Sequence, residues 1–440
     1  MNKNKKTGQK LYLKAKEIIP GGTMVLSKRP EMFMPDHWPS YFSKTKGCYV
    51  WDLDNNKYID ATIMAIGTNT LGYNNKEIDD EVIKNIRKGN ISTLNCPEEV
   101  KLAEKLIQIN PWADMVRFAR TGGEANAIAV RIARTASGKD NIAVCGYHGW
   151  HDWYLSVNHN KTGDDLASHL LPGLKPLGVP KNLKNTVYPF SYNNFEELEE
   201  LVKNKNIGVI KMEVVRNFEP KNNFLKKCRD LATKNNIVLV FDECTSGFRE
   251  TYGGIHKKYK VNPDLIMFGK TLGNGYAITA IVGKKEIMNF AQKTFISSTF
   301  WSERIGPTAA LKTLEIMERE KSWEIITSKG VKIRNGWRHI ADQYKIPINI
   351  FGIPALSTFT FDHKDSLKFK TFLTQEFLSN GFLASNGFYT STAHTDEIIN
   401  RYLEIYDKIL HKIKKCIDEE ESIDKLLNGP VAHSGFNRLN

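Results

Sequence analysis

The sequence predicts an α/β fold: a mostly parallel central sheet with helices on both faces, joined to a smaller α+β domain. Two observations carry this expectation. From residue 114 to about 314, apolar runs at 115–118, 142–145, 207–213, 237–241, 265–268 and 277–282 alternate with helical stretches, and that alternation makes a parallel, helix-covered sheet. Several of these runs, 237–241 and 265–268 among them, are apolar throughout, as strands buried on both faces must be. A chain of 440 residues also exceeds one simple core, so two or three subdomains are expected.

In chain order, residues 8–22 read as an amphipathic helix stopped by Ile19-Pro-Gly-Gly22, a strong breaker. Residues 23–45 hold Pro, Met and aromatic side chains without a period and read as a long irregular segment. Residues 47–60 alternate around Asp54-Asn-Asn56 and predict a hairpin. Helices are expected at 77–88 and 97–108, the second with Pro97 and Glu98 in its first turn. A helix over 306–318 leads out of the sheet region. Beyond it, 350–362 and 383–389 read as strands and 395–415 as a closing helix, while the tail 426–440 shows no usable pattern. The expected division is 1–70, packing with the small domain, 71–325 as the large domain and 326–440 as the small one.

Composition excludes several classes. With 41% apolar and 25% charged residues the chain has the balance of a soluble globular protein. No apolar run approaches the roughly 18 residues of a membrane span. The basic start Met1-Asn-Lys-Asn-Lys-Lys6 is followed by no apolar segment, so no signal peptide is expected. Six scattered cysteines without a CxxC argue against a structural zinc or a disulfide framework and favour a reducing cytoplasm. A net charge of +13 suits an anionic small molecule, but the lysines are dispersed and no nucleic-acid motif appears.

Chemistry concentrates at two strand ends. Ile237-Val-Leu-Val-Phe-Asp-Glu-Cys-Thr-Ser-Gly-Phe-Arg249 puts Asp242 after one apolar run, and Asp264-Leu-Ile-Met-Phe-Gly-Lys270 puts Lys270 after another. Carboxyl ends of parallel strands form the ligand crevice. A buried lysine and a buried carboxylate facing that crevice suit pyridoxal 5'-phosphate (PLP). The lysine would hold the cofactor as a Schiff base, and the acid would keep the pyridine nitrogen protonated. The bland alternative is a strand-end aspartate and a surface lysine.

Three further stretches bear on that choice. Arg120-Thr-Gly-Gly-Glu-Ala-Asn126 opens a helix after a strand, where free N–H groups can cradle phosphate, although tight turns use glycine anyway. Gly146-Tyr-His-Gly-Trp-His-Asp-Trp-Tyr154 offers aromatic area for stacking a ring or for core packing. Its His148 and His151 match no metal-ligand spacing, so no metal is expected. The hydroxyls of Ser297-Ser-Thr-Phe-Trp-Ser302 could bind phosphate, or cap the helix that follows.

Phe241-Asp-Glu-Cys-Thr-Ser-Gly-Phe-Arg249, Tyr252-Gly-Gly254 and Pro263-Asp-Leu-Ile-Met-Phe-Gly-Lys-Thr-Leu-Gly-Asn-Gly275 together resemble the signature of class III PLP-dependent aminotransferases, in particular the glutamate-1-semialdehyde aminomutase branch. The resemblance extends from Ile19-Pro-Gly-Gly22 to Ala393-His-Thr395. It implies fold-type I with a seven-stranded, mostly parallel sheet, and a homodimer with shared sites. It further implies Lys270 as Schiff-base lysine and proton carrier and Asp242 as pyridinium partner. Thr121, Gly122 and Gly123 fall in the phosphate loop. Tyr147 would stack on the ring with His148 beside it, Glu213 takes the strand-end glutamate position, and Thr299 would reach the phosphate of the neighbouring subunit's cofactor.

The departures lie on the substrate side. Where the aminomutase has an arginine after Pro-Gly-Gly, this chain has Lys28 with Arg29 beside it, and a lysine is no bidentate carboxylate fork. Trp150 and Trp153 enlarge the aromatic stretch, Asn386 stands about where that enzyme has a glutamate, and Val214 replaces a proline. The expected reaction is transfer of an amino group from a donor, glutamate by expectation, to a carbonyl acceptor. Aromatic surface and basic balance suit a carbohydrate or nucleotide-linked acceptor. Intramolecular aminomutation is the alternative, and a catalytically silent binding protein is the rival from another class.

Overall fold

The structure is a computed structural model that describes residues 6–159 and 175–435. The chain divides into two compact units, residues 76–324 and residues 1–75 with 325–440. The last five residues of the 426–440 tail lie outside the described residues.

In the N- and C-terminal unit, the Thr7–Ile18 helix precedes β1 (Phe42–Lys46), β2 (Tyr49–Asp52) and β3 (Lys57–Ala61), an antiparallel meander. The Asp52 carboxylate closes the hairpin by accepting from the backbone N–H groups of Asp54 and Asn56 at 2.9 and 2.8 Å. Asp and Asn are the residues suited to such self-capping turns. The chain begins β1 inside the stretch expected to be irregular, whose earlier part holds only short turns at Leu26–Lys28 and Pro30–Met32.

The central unit holds β4 (Met115–Ala119), β5 (Asn141–Cys145), β6 (Val187–Pro189), β7 (Ile207–Glu213), β8 (Val238–Glu243), β9 (Leu265–Phe268) and β10 (Thr279–Gly283). They form one sheet in the order β4-β10-β9-β8-β7-β5-β6. Only β10 runs antiparallel to its neighbours, and the remaining pairs are parallel. The fold is therefore the mixed α/β arrangement that the alternation predicts. Every residue of β7 and β8 is buried. The Gly122–Ser137 helix presents Ala125, Ile128, Ala129 and Ile132 to a core shared with Val144, Val240 and Met267. One expectation shifts here, and one strand, β6, is unforeseen. β8 runs on to Glu243, so Asp242 lies inside the strand rather than after it, paired with Glu213 on β7 and Met267 on β9. β6 has three residues and ends in proline, too short to show a period.

The N- and C-terminal unit continues with β11 (Ile348–Phe351), β12 (Leu356–Phe361), β13 (Phe382–Ala384) and β14 (Gly387–Tyr389). Neither C-terminal stretch is one strand. Residues 350–362 break at Pro354, which cannot donate to a ladder, and β11 and β12 fold back antiparallel. Residues 383–389 split at Ser385-Asn386: β13 joins β3 in parallel, whereas β14 joins β12. The Ser322–Gln343 helix, unforeseen, supplies Ile333, Trp337 and Ala341 to the core of this unit, against Phe359 and Tyr402 from β12 and the Asp396–Ile417 helix.

Candidate active site

At the end of β9, Gly269 is extended and Lys270 enters the left-handed region with φ of 41°. A branched or bulky residue would resist that conformation, and a non-glycine in it is uncommon away from functional turns. The turn directs Nζ to Thr245 Oγ1, 2.9 Å away. Burial, reinforced by the nearby charges of Arg216 and Arg249 and opposed in part by Glu213, brings the Lys270 amine down to about 8.

Asp242 lies one strand over and is 3% exposed. Its Oδ2 is 2.9 Å from His148 Nδ1 and 4.0 Å from Lys211 Nζ, and its Oδ1 accepts from the Cys244 N–H at 3.1 Å. Burial alone would raise this carboxyl. The charge of Lys211 and the His148 hydrogen bond outweigh it and hold the group ionised, well below the usual carboxylate range. His148 is fully buried, with Nε2 3.2 Å from the Cys145 carbonyl. Its ring backs Asp242.

Glu213 ties Tyr147 to this pair of strands. Its Oε2 accepts from the Tyr147 N–H at 3.0 Å and its Oε1 from Arg216 Nη1 at 2.9 Å. The Arg216 guanidinium lies 5.7 Å from the centre of the Tyr147 ring. The approach requires a glycine at 146: φ is 104°, and a Cβ there would stand 2.6 Å from Glu213 Oε2. The adjacent acid Glu243 is spent on the fold, accepting from the N–H groups of Ile255 and His256 at 2.6 and 2.9 Å.

At the turn expected to hold phosphate, Thr121 is the N-cap of the Gly122–Ser137 helix in a full capping box with Glu124. The Thr121 hydroxyl is engaged by Glu124, and Gly122 and Gly123 form the first helical turn. Any side chain at 123 would meet His151 Cε1 at 2.6 Å. Trp301 donates to Glu124 Oε1 at 3.1 Å, and Arg120 Nη2 donates to the Trp301 carbonyl at 2.9 Å, so the loop bearing Thr299 is anchored to this turn. Thr299 itself is exposed. Neither a serine nor a threonine caps the Ile305–Glu320 helix; Glu303 accepts from the Ile305 and Gly306 N–H groups at 2.6 and 2.9 Å.

Trp150 is exposed and lies against His151. Lys28, Arg29 and Asn386 belong to the other unit, where Lys28 ends a short turn, Arg29 folds over Gly21 and Asn386 donates to the Phe359 carbonyl at 2.7 Å. Sequence reasoning missed Lys211, Arg216, Cys244 and Thr245. Arg216 stands three residues beyond Glu213, and Cys244 and Thr245 two and three beyond Asp242, so strand-end spacing would have found them; for Lys211 no local signal exists.

A lowered amine, a buried carboxylate with an oxygen lone pair to spare and a glycine-opened helix N-terminus form a donor set that fits PLP. Solved structures share this fold. The structure of the FumI protein of Sphingopyxis sp. MTA144 in its PLP internal aldimine form matches 96% of this chain and 100% of that one, with a TM-score of 0.84 and 24% identity. An omega-transaminase from Sphaerobacter thermophilus matches 93% and 98%, with a TM-score of 0.81 and 21% identity. The Aminotransferase class-III family profile covers residues 34–410. A 3-aminobutyryl-CoA aminotransferase of Cloacimonas acidaminovorans (strain Evry) is 35% identical over 422 residues, covering 92% of this chain and 97% of the relative. A glutamate-1-semialdehyde 2,1-aminomutase of Sulfolobus acidocaldarius is 31% identical over 406 residues, covering 86% and 94%. The chain belongs to the class III aminotransferases, PLP-dependent transaminases.

Proposed function

We propose that this transaminase moves an amino group from an amino acid donor, glutamate first, to a carbonyl compound carried on a large anionic group such as a coenzyme A thioester or another nucleotide-linked or sugar-linked carrier. The observation that carries the reading is the Lys270 amine, held on Thr245 with its proton affinity lowered, one strand from an ionised Asp242. PLP supplies the electron sink when bound. Lys270 would hold it and would afterwards move the proton at the substrate carbon. Asp242 would keep the proton on the pyridine nitrogen. Tyr147, fixed through its backbone by Glu213, would cover the ring, and the N-terminus of the Gly122–Ser137 helix would receive the phosphate.

The acceptor class rests on three supports. The coenzyme A-linked substrate named for the 35% identical relative is one, and the +13 net charge is another. The third is Arg216, whose guanidinium stands between Glu213 and the Tyr147 ring, where a substrate anion can compete with Glu213. Lys28, Arg29, Trp150 and Asn386 remain the further candidates for substrate contacts. We also propose a homodimer with Thr299 reaching the partner's cofactor; exposed Phe295 and Phe300, 81% and 69% accessible, flank Thr299 as an interface would require. The described cysteines are all free thiols, and no helix among the described residues is long and apolar enough to cross a membrane; a cytoplasmic setting fits both.

The test supplies the loaded protein with glutamate and, separately, 3-oxoacyl-CoA thioesters, nucleotide-linked keto sugars and glutamate-1-semialdehyde, and follows 2-oxoglutarate. Glutamate-dependent turnover with a carrier-linked acceptor is expected. Turnover of glutamate-1-semialdehyde without any donor would replace the proposal by aminomutation.

A further inference from the structure

β7 contains a residue that its position does not call for. All seven residues of Ile207–Glu213 are buried, and the fifth is a lysine. Lys211 pairs with Val144 on β5 and Val240 on β8, while Glu213 pairs with Asp242 and Asp242 with Met267 on β9. Side chains alternate along a strand, so Lys211, Glu213, Val240, Asp242 and Met267 share one face. The lysine side chain runs across β8 beneath Asp242: Nζ lies 4.0 Å from Asp242 Oδ2 and 3.5 Å from Met267 Sδ. Its exposure is zero. An ammonium sealed in a sheet core is costly without a partner, and an apolar side chain of similar volume would fill the space at no such cost.

We propose that Lys211 is a positioning residue for Asp242, fixing which carboxylate oxygen meets the pyridine nitrogen and moderating how strongly that oxygen draws the ring proton. The inference rests on Asp242 being the pyridine partner. A carboxylate oxygen has two lone-pair sites. Oδ2 is turned into the core, toward His148 and Lys211, while Oδ1 accepts from the Cys244 N–H. Oδ1, which neither His148 nor Lys211 engages, is the oxygen left to face the cofactor. The charged and titratable groups around Lys211 are Asp242 and Cys244 from β8 and the residues after it, Glu213 on its own strand, and His148 beyond β5. From β9 it meets neutral Met267, and the helix packed on this face offers Ala125, Ile128 and Ala129. Lys211 is thus a cation set against the same carboxylate as the ring nitrogen. Two cations sharing one anion lower each other's proton affinity.

The test uses the full chain loaded with PLP, with the neutral variants K211M and K211Q beside D242N. Removing the lysine charge raises the pH midpoint of the visible colour change, by about half a pH unit or more, and by the same amount in both variants. A midpoint equal to that of the unaltered protein overturns the proposal, and so does a shift in only one variant, which would mark packing rather than charge. Thermal melting supplies a second arm. D242N leaves Lys211 buried without its anion, so the double variant K211M/D242N should melt above D242N alone; additive losses overturn the pairing. A D242N protein with unaltered colour and midpoint would instead remove the role assigned to Asp242. Altered D242N with unaltered K211M and K211Q would remove only the role of Lys211.

Discussion

Lys270 suits the role proposed for it because its surroundings change its proton affinity. With its pKa brought from 10.5 to about 8, roughly a tenth of the side chain is free amine at pH 7, about 300-fold more than for an ordinary lysine. Cofactor capture by PLP-free protein should therefore accelerate with rising pH and level off above about 8; a rate still climbing toward 10 would contradict the burial argument. The same shift acts on stability. Between about 8 and 10.5 the unfolded chain holds this proton more tightly than the folded one, so the PLP-free protein gains stability from this group as pH rises through that window. K270A should be colourless with PLP and slower in transamination by about four orders of magnitude or more, measured by single-turnover absorbance. Asp242 and Lys270 were legible in the sequence because each is the first charge after an apolar run. Lys211 was not, since a lysine within such a run reads as an interruption, and only the pairing of three strands discloses the carboxylate it serves.

At the scale of elements, caps and turns hold the site's geometry. Glu124 accepts from the Arg120 and Thr121 N–H groups at 3.0 and 2.8 Å, and bonds Trp301 as well. E124A should cost about 1 kcal/mol of stability through the lost cap, and should also weaken PLP binding by loosening the phosphate turn. Calorimetry with and without PLP separates the two losses, and equal losses in both would leave the turn with a purely structural part. The strand-turn-helix unit at 115–137 was readable from its apolar run, its glycines and its Thr-x-x-Glu spacing. The cap of the Ile305–Glu320 helix was misread as a hydroxyl: Glu303, adjoining the helix start, reaches its free N–H groups with a carboxylate that also bonds Arg120. The choice among several eligible capping residues follows from that tertiary partner.

For the whole molecule, a homodimer with shared sites makes a prediction that one chain cannot meet. K270A and T299A proteins, each weakened alone, should recover activity when refolded together, to about a quarter of the unaltered protein for random pairing. The mixed dimer then combines Lys270 from one subunit with Thr299 from the other in one intact site. No recovery, with dimers verified by sedimentation, would place both residues in the same subunit's site. The exposed loop at 297–302 is tied to the phosphate turn of its own chain by Arg120 and Trp301, so an altered interface should also register in PLP affinity.

The sequence by itself determined the α/β class, the places of the major strands along the chain, and the lysine and aspartate on which the proposed site is built. These follow from signals local to a few residues: the period of apolar side chains, and a charge where such a run ends. Only the tertiary structure decided that His148 and Lys211 stand behind Asp242, that Glu213 holds both Tyr147 and Arg216, and that 350–362 and 383–389 each divide into two strands. Those outcomes depend on register and on which neighbour each side chain meets across the sheet, relations between segments far apart in the chain.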